Sequence, residues 1–238
     1  MSTPTSTPGH PTATPQTPGF RMIRTLGGIA MLSGLLVVLV YQWTKPFIAE
    51  NQRIAIERAV FQVVPGASRR VDVRLDGSGI VEGGTAQGET VYAAFDEQGG
   101  LQGLALEAGA QGYQDVVRLL YGYDPVCQCV RGIKILKMTE TPGLGDKIAF
   151  DPGFLENFDA LDATLDPSGS ALTNPIRALK HGKKQHPWEI DAISGATISS
   201  VAVARAIDNS MQRMAPLIQR HLGALRDAAP APDAGGER

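Results

Sequence analysis

The residues with the clearest chemical potential form the segment Asp191–Thr197, which reads Asp-Ala-Ile-Ser-Gly-Ala-Thr and precedes a run with helical apolar spacing. The first amides of a helix have no partner inside the helix, and the helix dipole adds partial positive charge there. Gly195 and Ala196 leave the backbone open to a bulky ligand, and Thr197 presents a hydroxyl at the same end. The segment therefore predicts an anion site. A Ser/Thr helix cap with nothing bound is the simpler interpretation of these residues alone.

A second segment, Glu140–Lys147, reads Glu-Thr-Pro-Gly-Leu-Gly-Asp-Lys and follows a predicted strand that ends at Met138. A glycine-rich loop after a strand allows the backbone to approach a planar ligand closely. The alternative is a plain turn closed by Pro142 and Gly143. Neither segment by itself distinguishes a ligand-binding site from an ordinary helix cap or turn.

Together the two segments resemble the FMN-binding domain shared by the G component of Rnf electron-transport complexes and the C component of the sodium-pumping NADH:quinone oxidoreductase. In that family a flavin transferase joins FMN to the threonine of an Asp-x-x-Ser-Gly-Ala-Thr motif through a phosphodiester. The acceptor maps onto Thr197 and the acid of the motif onto Asp191. The family's Glu-Thr-Pro-Gly-Leu-Gly loop matches Glu140–Gly145 without a substitution, and the continuation Asp146–Ile148 is closer to the Rnf protein.

The resemblance implies a cofactor and a set of residues around it. FMN would be bound covalently through a phosphodiester to Thr197. The phosphate end would be lined by Ser194, Gly195 and Ala196. The ring would be lined by Glu140, Thr141, Leu144 and Gly145.

The resemblance also implies a function and a location. The chain would relay electrons as one component of a complex that couples transfer between ferredoxin and NAD to ion transport, rather than act as a stand-alone enzyme. Its partners would be the other membrane subunits, the flavin transferase and the lipid bilayer. The flavin domain would lie on the periplasmic side of a bacterial inner membrane. The alternatives are the C component of the quinone reductase, an anchored flavin domain for sensing or regulation, and an anchored binding module without a cofactor.

An uncharged run of 18 residues, Leu26–Trp43, follows Arg21 and Arg24. As a helix it would be about 27 Å long, close to the hydrocarbon thickness of a bilayer. A buried core helix and a cleaved signal peptide are the competing interpretations. A retained anchor ending at Lys45-Pro46 is favoured, because the run is long and no small-x-small cleavage site follows it promptly. Flanking charges do not choose an orientation.

The pattern of the remaining chain predicts an α+β fold: one transmembrane helix, then an FMN-binding domain with a mostly antiparallel sheet and flanking helices. We expect a disordered Pro/Thr-rich leader over 1–20, the anchor over 21–45, the domain over 46–224 and a disordered tail over 225–238. A helix is predicted over Ile48–Val64 and another after Thr197. The predicted strands are Val71–Leu75, Thr90–Phe95, Gly103–Leu106, Val116–Tyr121, Val126–Val130 and Ile133–Met138.

Composition narrows the remaining possibilities. The net charge is −2 and no long basic block is present, which argues against nucleic acid. Cys127 and Cys129 are the two cysteines; in the predicted strand they are interpreted as buried apolar residues, with a metal site or a strained disulfide as alternatives. The basic run His181–His186 is interpreted as a solvated loop rather than a docking patch or metal site. Trp188 would pack either on the flavin ring or in the core.

Overall fold

The computed structural model describes residues 19–77, 79–81 and 88–229. The predicted leader lies outside this range except for its last two residues, and so does the end of the predicted tail. The chain divides into two compact units at the junction of Asn51 and Gln52.

The first element is a single helix, α1, over Gly19–Val63. It contains the uncharged run, whose large apolar side chains are exposed, and it is long and apolar enough to be a candidate membrane span. The helix does not break at Lys45-Pro46: Pro46 lies inside it, so the predicted anchor and the predicted helix over Ile48–Val64 form one continuous element. A proline in a helix interior costs about 3 kcal/mol. The continuation is favoured by the helical spacing beyond it and by the packing of Ala59, Val60 and Val63 in the second unit.

A seven-stranded sheet, antiparallel throughout, forms the centre of the second unit and confirms the predicted α+β class. Its spatial order is β2-β1-β3-β4-β5-β6-β7. Consecutive strands from β3 to β6 are neighbours, as expected for short hairpin connections. The strands are β1 Arg69–Asp76, β2 Gly79–Val81, β3 Glu89–Phe95, β4 Leu101–Gln111, β5 Val116–Asp124, β6 Cys129–Lys137 and β7 Leu161–Asp162.

Both faces of the sheet are covered by packed side chains. Alternate side chains of each strand point to opposite faces, so one strand contributes to both cores. On β5, Leu119 and Tyr121 belong to the larger core, whereas Leu120 packs with the end of α1. The end of α1 approaches the sheet so closely that a Cβ atom on Gly122 would collide with the carbonyl oxygen of Val63. Glycine is therefore required at this crossing.

The larger core is closed by α3, Thr197–Arg220, the helix predicted after Thr197, which buries Ala204, Met211, Met214 and Ile218. Pro216 lies inside this helix, and α4, Leu222–Asp227, follows it. The predicted start of a solvated tail at residue 225 was wrong, because Leu225 is fully buried in the core and continues the apolar pattern.

The stretch between β6 and α3, for which no helix or strand was predicted, contains several short elements. A parallel strand pair joins β8, Arg177–Leu179, to β9, Glu189–Asp191. The others are 3-10 turns at Gly145–Ala149 and Glu156–Phe158 and the short helix α2, Pro152–Leu155.

The predicted strand Val126–Val130 was wrong. Residues 125–128 form the turn between β5 and β6, and β6 then runs without interruption from Cys129 to Lys137. The interpretation of the cysteines as buried apolar residues was also wrong: Cys127 and Cys129 form a disulfide, and Cys127 is exposed. The turn places the two Cα atoms 5.2 Å apart, closer than the roughly 6.6 Å expected for residues i and i+2 of an extended strand.

Candidate functional site

Three segments that are distant in sequence meet in one cleft of about 510 Å³. This volume falls within the roughly 300–1,000 Å³ of small-molecule sites. The segments are the turn between β4 and β5, the loop after β6 and the start of α3. The lining residues are Tyr113, Glu140, Thr141, Leu144, Gly145, Gly195, Ala196, Thr197, Ile198 and Ser199.

Thr197 is the first residue of α3, and its side chain is exposed. The preceding residue, Ala196, supplies no side-chain cap to the helix. The amides of the first turn are therefore available to a ligand, together with the positive end of the helix dipole. Gly195 has φ +83°, a left-handed conformation that glycine adopts at little cost. The predicted combination of an open backbone, a helix start and a free hydroxyl is present in this arrangement.

The turn before α3 is held by its own hydrogen bonds. The amide of Ile193 donates to Ser200 Oγ at 3.1 Å, and that hydroxyl donates to the carbonyl oxygen of Ala196 at 3.0 Å. The amide of Ala196 donates back to the carbonyl oxygen of Ile193 at 3.0 Å. Because Ser200 is fully buried and engaged in both directions, the turn has its shape before any ligand binds.

The floor of the cleft is organised by Glu140, whose side chain is 7% exposed. Its Oε1 accepts hydrogen bonds from the amides of Tyr113 at 3.0 Å and Gln114 at 3.4 Å. Its Oε2 accepts a hydrogen bond from the hydroxyl of Ser199, which is also buried. One carboxylate thus joins all three segments of the cleft.

Close packing around this carboxylate explains why position 145 of the loop is glycine. A Cβ atom on Gly145 would lie 2.7 Å from Ser199 Oγ and 2.8 Å from Glu140 Oε2. Such distances are too short for any side chain to be accommodated without movement of the floor. The Gly145 backbone therefore packs directly against the Glu140–Ser199 pair.

The rim of the cleft is apolar and open. Tyr113 is 65% exposed, Ile198 is 55% exposed and Leu144 is 49% exposed. Of the described residues that line the cleft, Glu140 is the one that carries charge, and its oxygens are occupied. The arrangement fits a flat, largely apolar ring system at the rim and an anionic group at the start of α3.

Two of the predicted site residues lie outside the cleft lining. Ser194 is exposed on the turn before Gly195, but it is not among the lining residues. Asp191 ends β9, where its Oδ1 accepts from the amide of Gly182 at 2.6 Å and its Oδ2 lies 3.1 Å from His181 Nδ1. Its carboxylate therefore holds the 181–182 turn in this structure. The other predicted residues, Thr197, Gly195, Ala196, Glu140, Thr141, Leu144 and Gly145, line the cleft.

The neighbouring aromatic and basic residues take positions outside the cleft lining. Trp188 is half-buried and stacks on His186 with ring centroids 4.5 Å apart. It therefore meets neither of its two predicted roles fully, since it is not a lining residue and is not fully buried. Residues 181–186 are exposed, and no group of three or more His, Cys, Asp or Glu residues in the described chain is placed to hold a metal ion.

Sequence reasoning missed Tyr113 and assigned no structural role to Ser199. The sequence signal for Tyr113 was its position between two predicted strands. In the structure it lies in a turn where the amide of Gly112 donates to the carbonyl oxygen of Asp115 at 2.9 Å. That turn could be recognised from the sequence. Its proximity to a loop 27 residues away could not, because the pairing passes through the carboxylate of Glu140.

Comparison with known proteins identifies the domain in which the cleft lies. Residues 112–212 match the family model described as FMN-binding domain, and this range includes every residue of the cleft lining. The fold is similar to that of NqrC of Shewanella oneidensis, with a TM-score of 0.58, 18% identity and coverage of 75% of this chain and 100% of the other. It is also similar to the C component of the Na(+)-translocating NADH-quinone reductase of Parabacteroides distasonis, with a TM-score of 0.56, 18% identity and coverage of 72% and 94%. The protein is thus one that contains an FMN-binding domain.

Sequence relatives define the family more narrowly. The G component of the ion-translocating oxidoreductase complex of Shewanella amazonensis is 32% identical over 192 residues, covering 78% of this chain and 83% of that protein. The corresponding protein of Methanosarcina acetivorans is 30% identical over 200 residues, covering 80% and 92%. The chain belongs to the family of G components of ion-translocating oxidoreductase complexes.

Proposed function

We propose that this protein carries FMN in a phosphodiester bond to Thr197 and relays electrons within an Rnf-type ion-translocating ferredoxin:NAD oxidoreductase complex. FMN supplies the redox chemistry. The protein supplies the position of the flavin, the electrostatics around it and the exclusion of competing reactions. The family membership and the FMN-binding domain support the coarse function. The covalent bond and the electron relay are the parts that this proposal adds.

The observation that carries the proposal is the difference in access among the hydroxyls at the start of α3. Thr197 is exposed and lines the cleft, whereas Ser199 is 2% exposed and Ser200 is fully buried. Both serines are also engaged in hydrogen bonds. A transferase that acts on the folded domain therefore meets the hydroxyl of Thr197 and not those of the two serines.

Attachment of FMN replaces the O–H bond of Thr197 with an O–P bond. With a flavin dinucleotide as the donor, the Thr197 oxygen attacks the phosphorus that bears the flavin, the phosphoric anhydride bond breaks, and a nucleoside monophosphate leaves while the threonine proton is released. The added mass is that of FMN less one water. One negative charge remains on the diester, and the free amides of the first turn of α3 are oriented to stabilise it. The apolar rim of Tyr113, Leu144 and Ile198 offers contact area for the ring.

The proposed location is a bacterial inner membrane, with α1 as a single-pass anchor in the lipid bilayer and the flavin domain on the periplasmic side. The candidate span within α1 supports the anchor. The Cys127–Cys129 disulfide supports the periplasmic side, because disulfides persist in the periplasm and are rare in the cytosol. The proposed partners are the other membrane subunits of the complex and, during maturation, a flavin transferase.

The proposal is tested by expressing the full chain with and without a flavin transferase and measuring the mass of the intact protein and its peptides. We expect wild-type protein to stay fluorescent after denaturation and to gain the mass of FMN less one water on the peptide that contains Thr197. Thr197→Ala should lose both signals and still reach the membrane, and Thr197→Ser should retain them in part because it keeps a hydroxyl.

Two serine variants serve as matched controls. Ser194→Ala removes an exposed hydroxyl outside the cleft lining, and Ser199→Ala removes a buried one. Both should retain the covalent flavin. If Thr197→Ala kept the added mass, the assignment of the acceptor would be wrong, and the peptide that carried the mass would identify the true one.

A further inference from the structure

The disulfide between Cys127 and Cys129 is a feature that the proposed flavin chemistry does not use. It lies in the turn between β5 and β6, at residues 125–128 and the first residue of β6. The two cysteines are separated by one residue, so the bond closes a very small loop. A disulfide adds less to the free energy of unfolding as the loop that it closes becomes shorter. The Cys127–Cys129 bond therefore contributes little to the stability of the whole domain. Its effect must be local.

The local effect involves Gln128, which lies between the two cysteines. Gln128 has φ +52°, the one left-handed conformation among the described non-glycine residues, and residues with a Cβ atom adopt it uncommonly. In this conformation its carbonyl oxygen accepts a hydrogen bond from the amide of Ala163 at 3.0 Å. Its side-chain oxygen accepts another from the amide of Leu165 at 2.9 Å. The bridged turn thus presents two acceptors to the segment that follows β7.

The 161–165 segment, which comprises β7 and the residues after it, is anchored on its inner side by Leu161, Ala163 and Leu165, which belong to the larger core, and by the hydrogen bond from the amide of Asp162 to the carbonyl oxygen of Pro187. Strand β7 contains only Leu161 and Asp162, and these pair with Val130 and Cys129. Gln128 and the two residues after it attach this core-anchored segment to the turn between β5 and β6. The Cys127–Cys129 bond fixes the backbone on both sides of Gln128, so it maintains the geometry on which these contacts depend.

The two sulfur atoms differ in access. Cys127 is exposed and follows Val126, which is 79% exposed, whereas Cys129 is 7% exposed. Neither cysteine is a member of the two core clusters of the described residues. A thiolate from solvent can therefore reach the Cys127 sulfur without opening the core, and the Cys129 sulfur is the leaving group.

We propose that Cys127–Cys129 is a thiol–disulfide exchange site for a dithiol reductant and that its reduction releases the 161–165 segment from Gln128. One thiolate of the dithiol attacks the Cys127 sulfur, the bond between the two cysteines breaks, and Cys129 leaves as a thiolate. The second thiol of the dithiol then resolves the mixed disulfide. The dithiol becomes a disulfide, and the protein gains two electrons and two protons as two thiols.

The primary test uses the full chain in detergent with dithiothreitol as the dithiol. Free thiols are trapped with N-ethylmaleimide and counted by mass, in native buffer and in urea. We expect both cysteines to become alkylated in native buffer at dithiothreitol concentrations within about threefold of those needed in urea. The circular dichroism should not change. Reduction that requires urea would overturn the proposal.

Hydrogen exchange tests the consequence of reduction. The amides of Ala163 and Leu165 should exchange at least about tenfold faster in the reduced protein, because their acceptors on Gln128 are no longer held in place. The amide of Ile193, whose acceptor is Ser200, serves as the internal control and should not change. Equal protection of residues 161–165 in both redox states would overturn the proposed release.

The direction of attack is tested with two single variants. Cys129→Ser leaves Cys127 as a free thiol, and Cys127→Ser leaves Cys129. We expect the Cys127 thiol to react with an aromatic disulfide reagent at least about tenfold faster than the Cys129 thiol, since exposure controls access to the sulfur. Equal rates, or faster reaction of Cys129, would overturn the assignment of Cys127 as the attacked sulfur. If either variant fails to fold, trapping the wild-type mixed disulfide with a monothiol gives the same answer by peptide mass.

Discussion

The hydroxyl of Ser199 donates a hydrogen bond to the buried carboxylate of Glu140, 59 residues earlier in the chain. This contact joins the loop after β6 to the first turn of α3, and the same carboxylate accepts from the amides of the Tyr113 turn. The cleft therefore has a polar floor that is satisfied internally and an apolar rim that is open. Ser199 therefore shapes the floor of the cleft beside Thr197, the proposed attachment residue.

Ser199→Ala should destabilise the domain by about 1–3 kcal/mol, because it leaves one oxygen of a buried carboxylate without a donor. The free energy of unfolding is measured by urea titration of the soluble domain. Ser194→Ala is the matched control, since Ser194 is exposed, and it should change stability by no more than about 0.5 kcal/mol. Equal stability of the two variants would show that the Glu140–Ser199 contact contributes nothing.

Gly145→Ala and Gly143→Ala should differ in their effect on the flavin. Alanine at 145 would press against Ser199 and Glu140, so we expect loss of stability and reduced flavin attachment. Position 143 has φ +79° and open space around its Cβ direction, so alanine there should cost about 1–2 kcal/mol of backbone strain and leave attachment intact. Urea unfolding and intact mass distinguish the two. The opposite order of flavin loss would contradict the packing described for the floor.

Removal of residues 1–45 should release a soluble, folded domain, because it deletes the candidate span and keeps the end of α1. Removal of residues 1–65 should instead destabilise the domain by several kcal/mol or cause aggregation, since Ala59, Val60 and Val63 are buried against the sheet. Sedimentation without detergent and thermal unfolding measure the two outcomes. A full-length chain that stayed in the supernatant without detergent would contradict the anchor.

Glu189 makes the stability of the folded domain depend on pH in a defined direction. Its pKa is lowered to about 2 by the hydrogen bonds from Arg177 and by the backbone amides of Gln185 and His186. A carboxylate whose pKa is lowered on folding stabilises the folded state fully at pH values above its ordinary pKa of 4.5. This contribution is lost as the pH falls from 4.5 towards 2.

Glu189→Gln should therefore be less stable than wild type at pH 7, and the difference should shrink towards zero between pH 4.5 and pH 2. Urea midpoints at a series of pH values measure it. The exposed Glu156 provides the control, and Glu156→Gln should show a small difference at every pH. A gap for Glu189→Gln that does not narrow in acid would contradict the role assigned to the Arg177 pair.

Much of the architecture could be predicted from short runs of β-forming residues, because the predicted strands Thr90–Phe95 and Val116–Tyr121 lie inside β3 and β5. The turn at residues 125–128 was missed because its apolar and sulfur-containing residues have strand propensity, and a disulfide contact does not appear in a local pattern. The anchor and the helix after it were predicted as separate elements because Pro46 is a local break signal, whereas the packing that favours continuation of α1 to Val60 and Val63 is tertiary.

The candidate site divides in the same way. The two loops and the helix start that contain Leu144, Gly195 and Thr197 are recognisable as motifs, and the structure brings them together. The position of Asp191 away from the cleft lining was not predictable, because it depends on the pairing of β9 with β8 and on the turn at His181. Short motifs thus identify most of the residues that line the cleft. Which motif residues are excluded from the lining, and which others join it, depends on contacts between segments that are distant in sequence.

The hydrogen bonds that shape the acceptor turn all run between Ile193 and Ser200. The backbone turn before Thr197 is consequently shaped within one short, continuous stretch of chain, and the hydrogen bond from Ser199 to Glu140 ties that stretch to the rest of the cleft. Grafted onto the first turn of a stable helix in an unrelated scaffold, with a carboxylate placed to accept from the serine equivalent to Ser199, the stretch would present the same hydroxyl in the same backbone conformation. Under the chemistry proposed for Thr197, a designed protein would then carry a flavin at a chosen place.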